Sequence, residues 1–345
     1  MKLVTYDRGD GVGRPGVLLG DGDRILDLAA ATDGAIASIQ GLIEGGDAAL
    51  ERARQAESSA ANGHMLERSA VRLMAPIEPP IQMRDCLCFE THLKQAFQQA
   101  RKLRARQFDN PEEAEAEMAR KGILSVPETF YEQPIYYKAN RFSVVGHETD
   151  VIWPRYSNFM DFELEFGIYI GKTAKDVKAA DARPYIFGYT IFNDFTARDA
   201  QTAEMGGQLG PAKGKDFDTA NPMGPCLVTA DEFGNPSDKT MICRVNGEEW
   251  GRGNTGTMFW SFEQVIEHVS ASETLRPGEF LGSGTVGNGC GLEHMRFLSP
   301  GDVVELEVEG IGVARECVAD LVERDALGVG GGLEGGERLG GEFGL

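Results

Sequence analysis

The chain has 345 residues, of which 41% are hydrophobic, so it is long enough for one large domain with a smaller domain beside it. Its 54 acidic residues outnumber its 34 lysines and arginines, and the resulting net charge of −20 disfavours nucleic acid and anionic membrane surfaces as partners. Six scattered cysteines and the lack of any apolar run of membrane-spanning length predict a soluble, cytoplasmic protein without a disulfide framework.

Residues 1–74 are expected to form a small α/β domain. Short runs of β-forming residues separated by Gly and Asp predict strands, and the apolar spacing over Ile36–Ala61 predicts a helix. Three prolines within Pro76–Pro80 impose an extended path, so we place a linker there. A larger domain is expected over residues 75–325.

A helical pair is predicted after a short apolar strand at Arg84–Phe89. The first helix covers Thr91–Arg106 and has a cationic surface. The second covers Pro111–Lys121, because proline and the two glutamates that follow it suit a first helical turn.

Later segments are mostly short strands joined by turns. The dipeptide Asn246-Gly247 is typical of a two-residue hairpin turn, and Phe262–Ser270 is predicted to be a helix. A β-rich chain with few long helices indicates an α+β fold rather than a doubly wound α/β domain. Residues 326–345 are dominated by glycine and are expected to form a flexible tail without a part in catalysis.

Two carboxylates lie on one face of the strand predicted over Asp161–Lys172. Side chains alternate along a strand, so Glu163 and Glu165 share a face and the apolar residues around them point the other way. Their Cβ atoms would be about 6–7 Å apart, and a hard divalent cation such as Mg²⁺ or Ca²⁺ between them would relieve their repulsion. The alternative is a solvent-facing strand edge whose acidic residues keep the protein soluble.

A third carboxylate, Asp194, ends the next predicted strand, Ile186–Asp194. With Glu163 and Glu165 it would complete a facial set of three oxygen ligands. The loop of residues 206–218 is too rich in glycine for a helix or strand interior, and its lysines suit an anionic substrate.

Five segments, in order, resemble the fumarylacetoacetate hydrolase superfamily over residues from about 75 to about 310. The segments are Glu163–Glu165, Phe192–Gln201, Gly214–Asp218, Asn246–Thr255 and Leu275–Gly287. The resemblance implies a β-rich α+β fold in which a distorted, rolled β-sheet core stands beside the small N-terminal α/β domain. It also implies a homodimeric enzyme that uses a divalent metal to act on a small anionic 1,3-dicarbonyl substrate.

The resemblance assigns catalytic roles to three residues. His92 would activate water, Glu293 would orient the imidazole, and Lys215 would stabilise an enolate leaving group. One position departs from the family pattern. Many relatives carry a glutamate one turn after the histidine, and this chain has Gln95.

The resemblance also implies the ligand set. Glu163, Glu165 and Asp194 would bind Mg²⁺, with Mn²⁺ and Ca²⁺ as alternatives. A fourth ligand, an aspartate found before the histidine in some relatives, would fall near Cys88, so three protein ligands are expected. Arg198 would contact the substrate or instead pair with an aspartate. The full set of expected substrate contacts is Arg198, Gln201, Tyr189, Thr285 and Lys138.

Residues 97–134 are expected to be an insertion over the site mouth, because relatives connect the histidine segment to the next strand more directly. The insertion would be a lid, or alternatively an oligomer contact or surface decoration.

The leading hypothesis is hydrolysis of a C–C bond in a β-diketone, acylpyruvate or fumarylacetoacetate-like acid, as in aromatic catabolism. Gln95 favours a second hypothesis, in which the same metal site decarboxylates a β-keto acid or isomerises or hydrates a dienoate. A third hypothesis is a binding or assembly protein without activity.

Overall fold

The computed structural model describes residues 1–20, 22–59 and 62–319, and the predicted glycine-rich tail of residues 326–345 lies outside this range. The fold of the described residues is α+β and rich in sheet, as predicted. Its strands form three sheets of twelve, five and two strands.

The twelve-stranded sheet carries the site. Its strands, numbered in chain order over all three sheets, are β1 (Lys2–Asp7), β2 (Arg14–Leu19), β3 (Arg24–Asp27), β4 (Met65–Glu67), β5 (Arg72–Met74), β6 (Met83–Cys86), β7 (Tyr136–Lys138), β8 (Val144–Gly146), β11 (Leu164–Ile170), β12 (Ile186–Asn193), β14 (Asn221–Thr229) and β17 (Phe280–Gly282). The main order is β4-β3-β2-β1-β14-β12-β11-β17-β6-β7, with β5 beside β1 and β8 beside β14. Most neighbours are antiparallel, whereas β17–β6 and β14–β8 are parallel.

The five-stranded sheet has the order β16-β15-β18-β19-β9, and β10 pairs with β13. These strands are β9 (Asp150–Ile152), β10 (Met160–Asp161), β13 (Thr196–Ala197), β15 (Thr240–Val245), β16 (Glu248–Asn254), β18 (Val303–Val308) and β19 (Gly312–Ala319). The predicted hairpin turn joins β15 to β16. Asn246 and Gly247 have φ values of 52° and 79°, the left-handed conformation that this turn requires.

Helices connect the strands and cover the sheets. They are α1 (Leu28–Ala31), α2 (Ile39–Glu44), α3 (Gly46–Ser58), α4 (Glu90–Ala105), α5 (Pro111–Arg120), α6 (Glu128–Glu132), α7 (Ala179–Ala182), α8 (Arg198–Met205), α9 (Ala212–Lys215), α10 (Ala230–Phe233) and α11 (Phe262–Ser270). None of the described helices combines the length and the apolar composition that crossing a membrane requires.

The predicted helices are present with small corrections. The segment predicted as one helix over Ile36–Ala61 divides into α2 and α3 at Gly46, whose φ of +61° interrupts a helix. Pro111 begins α5 as predicted, and the side chain of Asn110 caps it. A short third helix, α6, was not predicted. Whether residues 97–134 act as a lid stays a prediction.

The N-terminal segment extends the large sheet rather than forming a sheet of its own. Its strand β1 pairs with β14, with Leu3 opposite Leu227. Val4 and Ile25 belong to the same apolar core as Phe166 of β11. The predicted α/β segment therefore has its own helices but shares strands and core with the rest.

Both faces of the large sheet are covered. Phe166 and Ile168 of β11 share one core with Leu306 of the five-stranded sheet. Tyr169 of β11 shares the other core with Leu42 of α2. A carboxylate in β11 is thus removed from water, which is unfavourable unless cations or hydrogen bonds compensate.

Candidate active site

Glu165, the second residue of β11, occupies the middle of the site. Leu164 and Phe166 lie in the core between the sheets, so strand alternation turns Glu165 to the opposite face, as predicted. The side chain is fully buried, and its Oε2 atom accepts a 2.9 Å hydrogen bond from the backbone N–H of Gly284.

Asp85 joins Glu165 from the neighbouring strands. β6 runs parallel to β17 with Asp85 opposite Gly282, and a Cβ atom on that glycine would lie 2.4 Å from Asp85 Oδ1. Asp85, Glu165 and Asp194 each offer a carboxylate oxygen, and these atoms lie within 4.8 Å of one another. We call these three residues the carboxylate cluster.

Asp85 is the member that the sequence analysis missed. The expected position of a fourth ligand was near Cys88, three residues further along the chain. A usable signal was present, because Asp85 is a carboxylate inside the short apolar segment Arg84–Phe89, where an unpaired charge is unfavourable.

Burial and mutual repulsion raise the pKa values of the three residues in the carboxylate cluster. Burial, more than any neighbouring group, raises the pKa of Asp85 to about 6 and that of Asp194 to about 7. The pKa of Glu165 lies well above its ordinary value for the same reason, reinforced by the charges of Asp85 and Asp194. The cluster therefore binds protons more readily than exposed carboxylates do, and a bound cation would displace them.

Two oxygens of the carboxylate cluster lack a partner among the described residues. They are Glu165 Oε1 and Asp194 Oδ1, and both are buried. Buried oxygens of this kind normally have a hydrogen bond or a cation beside them. Converging hard oxygen donors without partners fit a divalent cation such as Mg²⁺.

Glu163, the first ligand predicted from the sequence, lies beside the carboxylate cluster. Its Oε2 atom is 2.8 Å from Lys215 Nζ, and its Oε1 atom is 2.7 Å from Arg198 Nη1. Burial alone would raise the pKa of Glu163, but Lys215, Arg198 and His92 together lower it below its ordinary value. Both Glu163 oxygens are held by cationic side chains. In the carboxylate cluster, Asp85 stands where Glu163 was expected.

Lys215 neutralises carboxylates instead of facing an open pocket. Its Nζ atom donates to Glu163 Oε2 at 2.8 Å, to Thr196 Oγ1 at 2.9 Å and to Asp194 Oδ2. Burial would lower the pKa of Lys215, yet Asp194 and Glu163 raise it above its ordinary value. An ammonium group has three N–H donors, and all three are engaged here.

Tyr137 is a second residue that sequence reasoning missed. It lies opposite Asp85 in the β6–β7 pair, and its hydroxyl donates a 2.7 Å hydrogen bond to Asp194 Oδ2. Alternation along β7 leaves the next residue, Lys138, exposed, so the predicted substrate contact is on the side away from Tyr137. The sequence Tyr137-Lys138 alone does not indicate which of the two side chains points toward the carboxylate cluster.

Arg198 is held by an aspartate, the alternative role considered above. Its Nε atom donates a 2.8 Å hydrogen bond to Asp161 Oδ2, and Nη1 donates to Gln201 Oε1 at 3.0 Å. Asp161 also accepts a 2.8 Å hydrogen bond from the backbone N–H of Gly291. Arg198 thereby ties α8 to the loop that precedes Glu293.

Two other predicted contacts are buried. Tyr189 lies in the apolar core, where its ring stacks on Phe233 with centroids 4.4 Å apart, so the expectation that it lines the pocket is wrong. Its place on β12 opposite the carboxylate face explains the difference, because Tyr189 shares that core with Phe166. Thr285 is only 3% exposed and follows Gly284, whose N–H contacts the carboxylate cluster.

His92 and Glu293 form the predicted pair, which we call the dyad. The Nδ1 atom of His92, in the first turn of α4, lies 3.0 Å from Glu293 Oε1. The other oxygen, Oε2, accepts a 3.1 Å hydrogen bond from the backbone N–H of Cys290. Both side chains are buried. A carboxylate at this distance fixes the imidazole tautomer and stabilises the imidazolium.

Gln95 has a separate structural role. Its Nε2 atom donates to Asn288 Oδ1 at 2.7 Å, and its Oε1 atom accepts from the Asn288 N–H at 3.2 Å. Gln95 therefore holds the loop before Glu293, and the carboxylate partner of His92 is Glu293 rather than residue 95.

The dyad and the carboxylate cluster are adjacent. Glu163 forms an isolated β-bridge with Cys290, and the N–H of Leu164 donates to Gly289 O at 2.9 Å. The loop that carries Glu293 therefore runs along the start of β11. This arrangement places an acid–base pair beside a site that fits a hard cation.

Known proteins resemble the chain over most of its length. A family model described as fumarylacetoacetate (FAA) hydrolase, C-terminal, matches residues 105–319. The mitochondrial oxaloacetate tautomerase fahd2 of Xenopus laevis is 32% identical over 315 residues, which cover 90% of this chain and 88% of the relative.

Solved structures resemble it as well. A probable 2-hydroxyhepta-2,4-diene-1,7-dioate isomerase from Mycobacterium abscessus has a TM-score of 0.67 and 27% identity, over 93% of this chain and 99% of that one. A fumarylacetoacetate hydrolase from Exiguobacterium antarcticum has a TM-score of 0.69 and 25% identity, over 92% of this chain and 99% of that one.

Proposed function

The chain belongs to the fumarylacetoacetate hydrolase family, and on that basis we propose that it is a divalent-metal-dependent tautomerase of small dicarboxylic 2-oxo acids such as oxaloacetate. The observation that carries this proposal is the dyad of His92 and Glu293, 3.0 Å apart, beside the carboxylate cluster. A base that takes up and returns one proton is what keto–enol exchange requires.

Asp85, Glu165 and Asp194 would hold the cation, which when bound polarises the substrate oxygens and makes the C–H bond next to the carbonyl more acidic. Glu163 would join them only after its oxygens leave Lys215 and Arg198. The positive charge that an acidic substrate needs in this acidic protein would come from the cation, because the nearby Lys215 and Arg198 are already paired.

His92 would move the proton. Glu293 accepts at Nδ1, so Nδ1 carries the hydrogen and Nε2 is left as the base. Nε2 removes a proton from the carbon between the two carbonyl groups, and Glu293 stabilises the imidazolium that forms. The imidazolium then returns its proton to carbon or oxygen, which completes the exchange without breaking a C–C bond.

One feature favours tautomerisation over hydrolysis. A relative that matches 90% of this chain carries the name oxaloacetate tautomerase.

Hydrolysis of a C–C bond is the second candidate, and the completeness of the dyad favours it. Gln95, in place of the family's glutamate, disfavours water activation when the sequence is considered alone. With Glu293 paired to His92, a His–carboxylate base is present without a contribution from residue 95.

The cytoplasmic location and the homodimer stay predictions.

The proposal is tested by following the enol absorbance of freshly dissolved oxaloacetate with Mg²⁺-loaded protein. We expect decay of the enol to be faster than in buffer containing Mg²⁺ alone, and we expect the gain to be lost on treatment with a chelator. A rate equal to that of Mg²⁺ in buffer would contradict the proposal. His92→Gln provides the matched variant, because it keeps the carboxylate cluster intact.

A further inference from the structure

We propose that His92, Cys290 and Glu293 form a second metal site that is selective for a soft divalent ion such as Zn²⁺, and that occupation of this site stops catalysis. The three residues each offer one ligand atom, and these atoms lie within 4.8 Å of one another. They are separate from the carboxylate cluster, which contains only oxygen donors.

The distances suit tetrahedral coordination. The Cys290 Sγ atom lies 4.0 Å from His92 Nδ1, and Nδ1 lies 3.0 Å from Glu293 Oε1. Ordinary zinc–ligand bond lengths in a tetrahedron give about 3.5 Å between sulfur and nitrogen and about 3.4 Å between nitrogen and oxygen. Each observed distance is within about half an ångström of its target, so side-chain adjustments suffice.

The surroundings fix the ligands. All three side chains are buried, with exposures of 7% for His92, 1% for Cys290 and 4% for Glu293. Glu293 Oε2 is held by the Cys290 N–H, which leaves Oε1 directed at His92. Burial, together with the negative charges of Glu293 and Asp161, raises the pKa of the Cys290 thiol, and Arg198, which is paired with Asp161, acts in the opposite direction. A cation placed here would therefore meet a net negative environment.

The donor set selects the metal. Thiolate, imidazole and one carboxylate are ligands that Zn²⁺ binds in tetrahedral sites, whereas Mg²⁺ needs oxygen donors in octahedral geometry. Binding releases the thiol proton of Cys290 to solvent and moves the imidazole proton of His92 from Nδ1 to Nε2. The three protein ligands leave a fourth coordination position for water.

Inhibition follows from the same atoms, and this part rests on the proposed function. A metal at Nδ1 replaces the hydrogen bond between His92 and Glu293 and puts the imidazole proton on Nε2, the atom assigned as the base. The imidazole then cannot accept a proton from the substrate. Zn²⁺ is thus expected to stop turnover while Mg²⁺ remains on the carboxylate cluster.

Cobalt provides the binding test, since thiolate bonded to Co²⁺ gives an intense near-ultraviolet charge-transfer absorption that carboxylate ligands do not produce. Mg²⁺-saturated protein is titrated with Co²⁺. We expect this absorption to reach a plateau at one equivalent, to vanish on adding Zn²⁺, to be absent in Cys290→Ser and to persist in Cys226→Ser. Cys226 is a suitable control because it is equally buried but hydrogen bonds to Ile311 O in the core.

Absence of thiolate absorption in the wild-type protein would overturn the site without reference to any variant. Loss of the absorption in Cys226→Ser but not in Cys290→Ser would do the same. If Cys290→Ser does not fold, thiol labelling of the wild type replaces it. Zn²⁺ should then protect Cys290 and leave the labelling of Cys317 unchanged, and equal labelling of Cys290 with and without Zn²⁺ would contradict the proposal.

Turnover provides the second readout. Zn²⁺ should inhibit the Mg²⁺-loaded wild type at concentrations at least tenfold below those that inhibit Cys290→Ser. Equal inhibition of both would show that Zn²⁺ acts on the carboxylate cluster and would overturn the inhibitory site. Failure of the Mg²⁺-loaded protein to turn over any dicarbonyl acid would instead contradict the proposed function, while the cobalt absorption would still decide the metal site.

Discussion

The dyad and the carboxylate cluster are both buried, but they differ in how their polar atoms are satisfied. In the dyad, each Glu293 oxygen has a donor, from His92 and from the Cys290 N–H. In the carboxylate cluster, Glu165 Oε1 and Asp194 Oδ1 have no hydrogen-bond partner within the part of the chain that the structure describes. The first has every carboxylate oxygen paired, whereas the second has oxygens that could accept a cation.

Removing a ligand should break the carboxylate cluster and leave the dyad in place. We expect Glu165→Gln to weaken Mg²⁺ binding by more than about 100-fold, because loss of an outer-shell partner alone typically costs 10–100-fold. Calorimetric titration with Mg²⁺ measures this.

Glu163→Gln is the matched comparison. Both of its oxygens already face cations, so its effect on Mg²⁺ affinity should be smaller than that of Glu165→Gln. An equal or larger loss in Glu163→Gln would show that Glu163 is a direct ligand, as the sequence alone predicts.

Removing the carboxylate of the dyad should lower kcat and leave Mg²⁺ binding nearly unchanged. Glu293→Gln keeps the shape of the side chain but cannot stabilise the imidazolium of His92, so kcat should fall by about 10²–10⁴-fold. Mg²⁺ affinity should change less than twofold. Steady-state kinetics and calorimetry on the same preparation separate the two effects.

Gln95→Glu sharpens this result. Gln95 contacts Asn288, so a glutamate there should not restore activity to Glu293→Gln. Recovery in the double variant would mean that residue 95 can reach His92.

The difference between the two groups also explains what sequence could predict. The strand alternation that turns Glu165 away from Leu164 is local, and so is the proline that begins α5. Both were predicted correctly. The pairing of His92 with Glu293, residues 201 positions apart, followed from a family resemblance rather than from the pattern of residues.

Residues brought in by sheet pairing were harder to predict. Asp85 and Tyr137 enter the site because β6 lies between β17 and β7 in the sheet. This order makes neighbours of strands that are far apart in the sequence. The competition of Lys215 and Arg198 for Glu163 depends on distances that a sequence does not contain. Tyr189 was misplaced because a buried tyrosine in a core and one in a pocket have the same sequence pattern.

Metal affinity should depend on pH through the carboxylate cluster. The pKa values of Asp85 and Asp194 are raised to about 6 and about 7, so protons compete with the cation below these values. Mg²⁺ affinity should rise as the pH increases from 6 to 8, by up to about tenfold per unit for each proton displaced. Calorimetry in buffers of different ionisation enthalpy counts the released protons, and pH-independent affinity would contradict the assignment.

A carboxylate behind the site provides the smallest expected effect. Glu316 of β19 is 1% exposed, and its Oε2 atom accepts a 3.2 Å hydrogen bond from Asn193 Nδ2. Burial raises the pKa of Glu316 to about 8, so the folded state holds a proton that the unfolded state loses near its ordinary value. Stability should therefore fall as the pH rises from about 4.5 to 8.

Glu316→Gln removes this titration and can still accept from Asn193. At each pH, the free energy of unfolding of the wild type is subtracted from that of Glu316→Gln. This difference should be larger at pH 8.5 than at pH 5 by about 1–3 kcal/mol. Urea unfolding at the two pH values measures this, and Mg²⁺ should not alter the result. A difference that is the same at both pH values would contradict it.

We propose that the dyad exchanges a proton on a substrate whose carbon skeleton stays intact. It is tested most directly by proton NMR of Mg²⁺-loaded protein in D₂O with oxaloacetate and a short acylpyruvate series, against protein-free and His92→Gln controls. We expect faster deuterium incorporation at the carbon between the carbonyl groups, with recovery of the intact acid. Formation of two acids from an acylpyruvate, or release of CO₂ from oxaloacetate faster than in the controls, would contradict it.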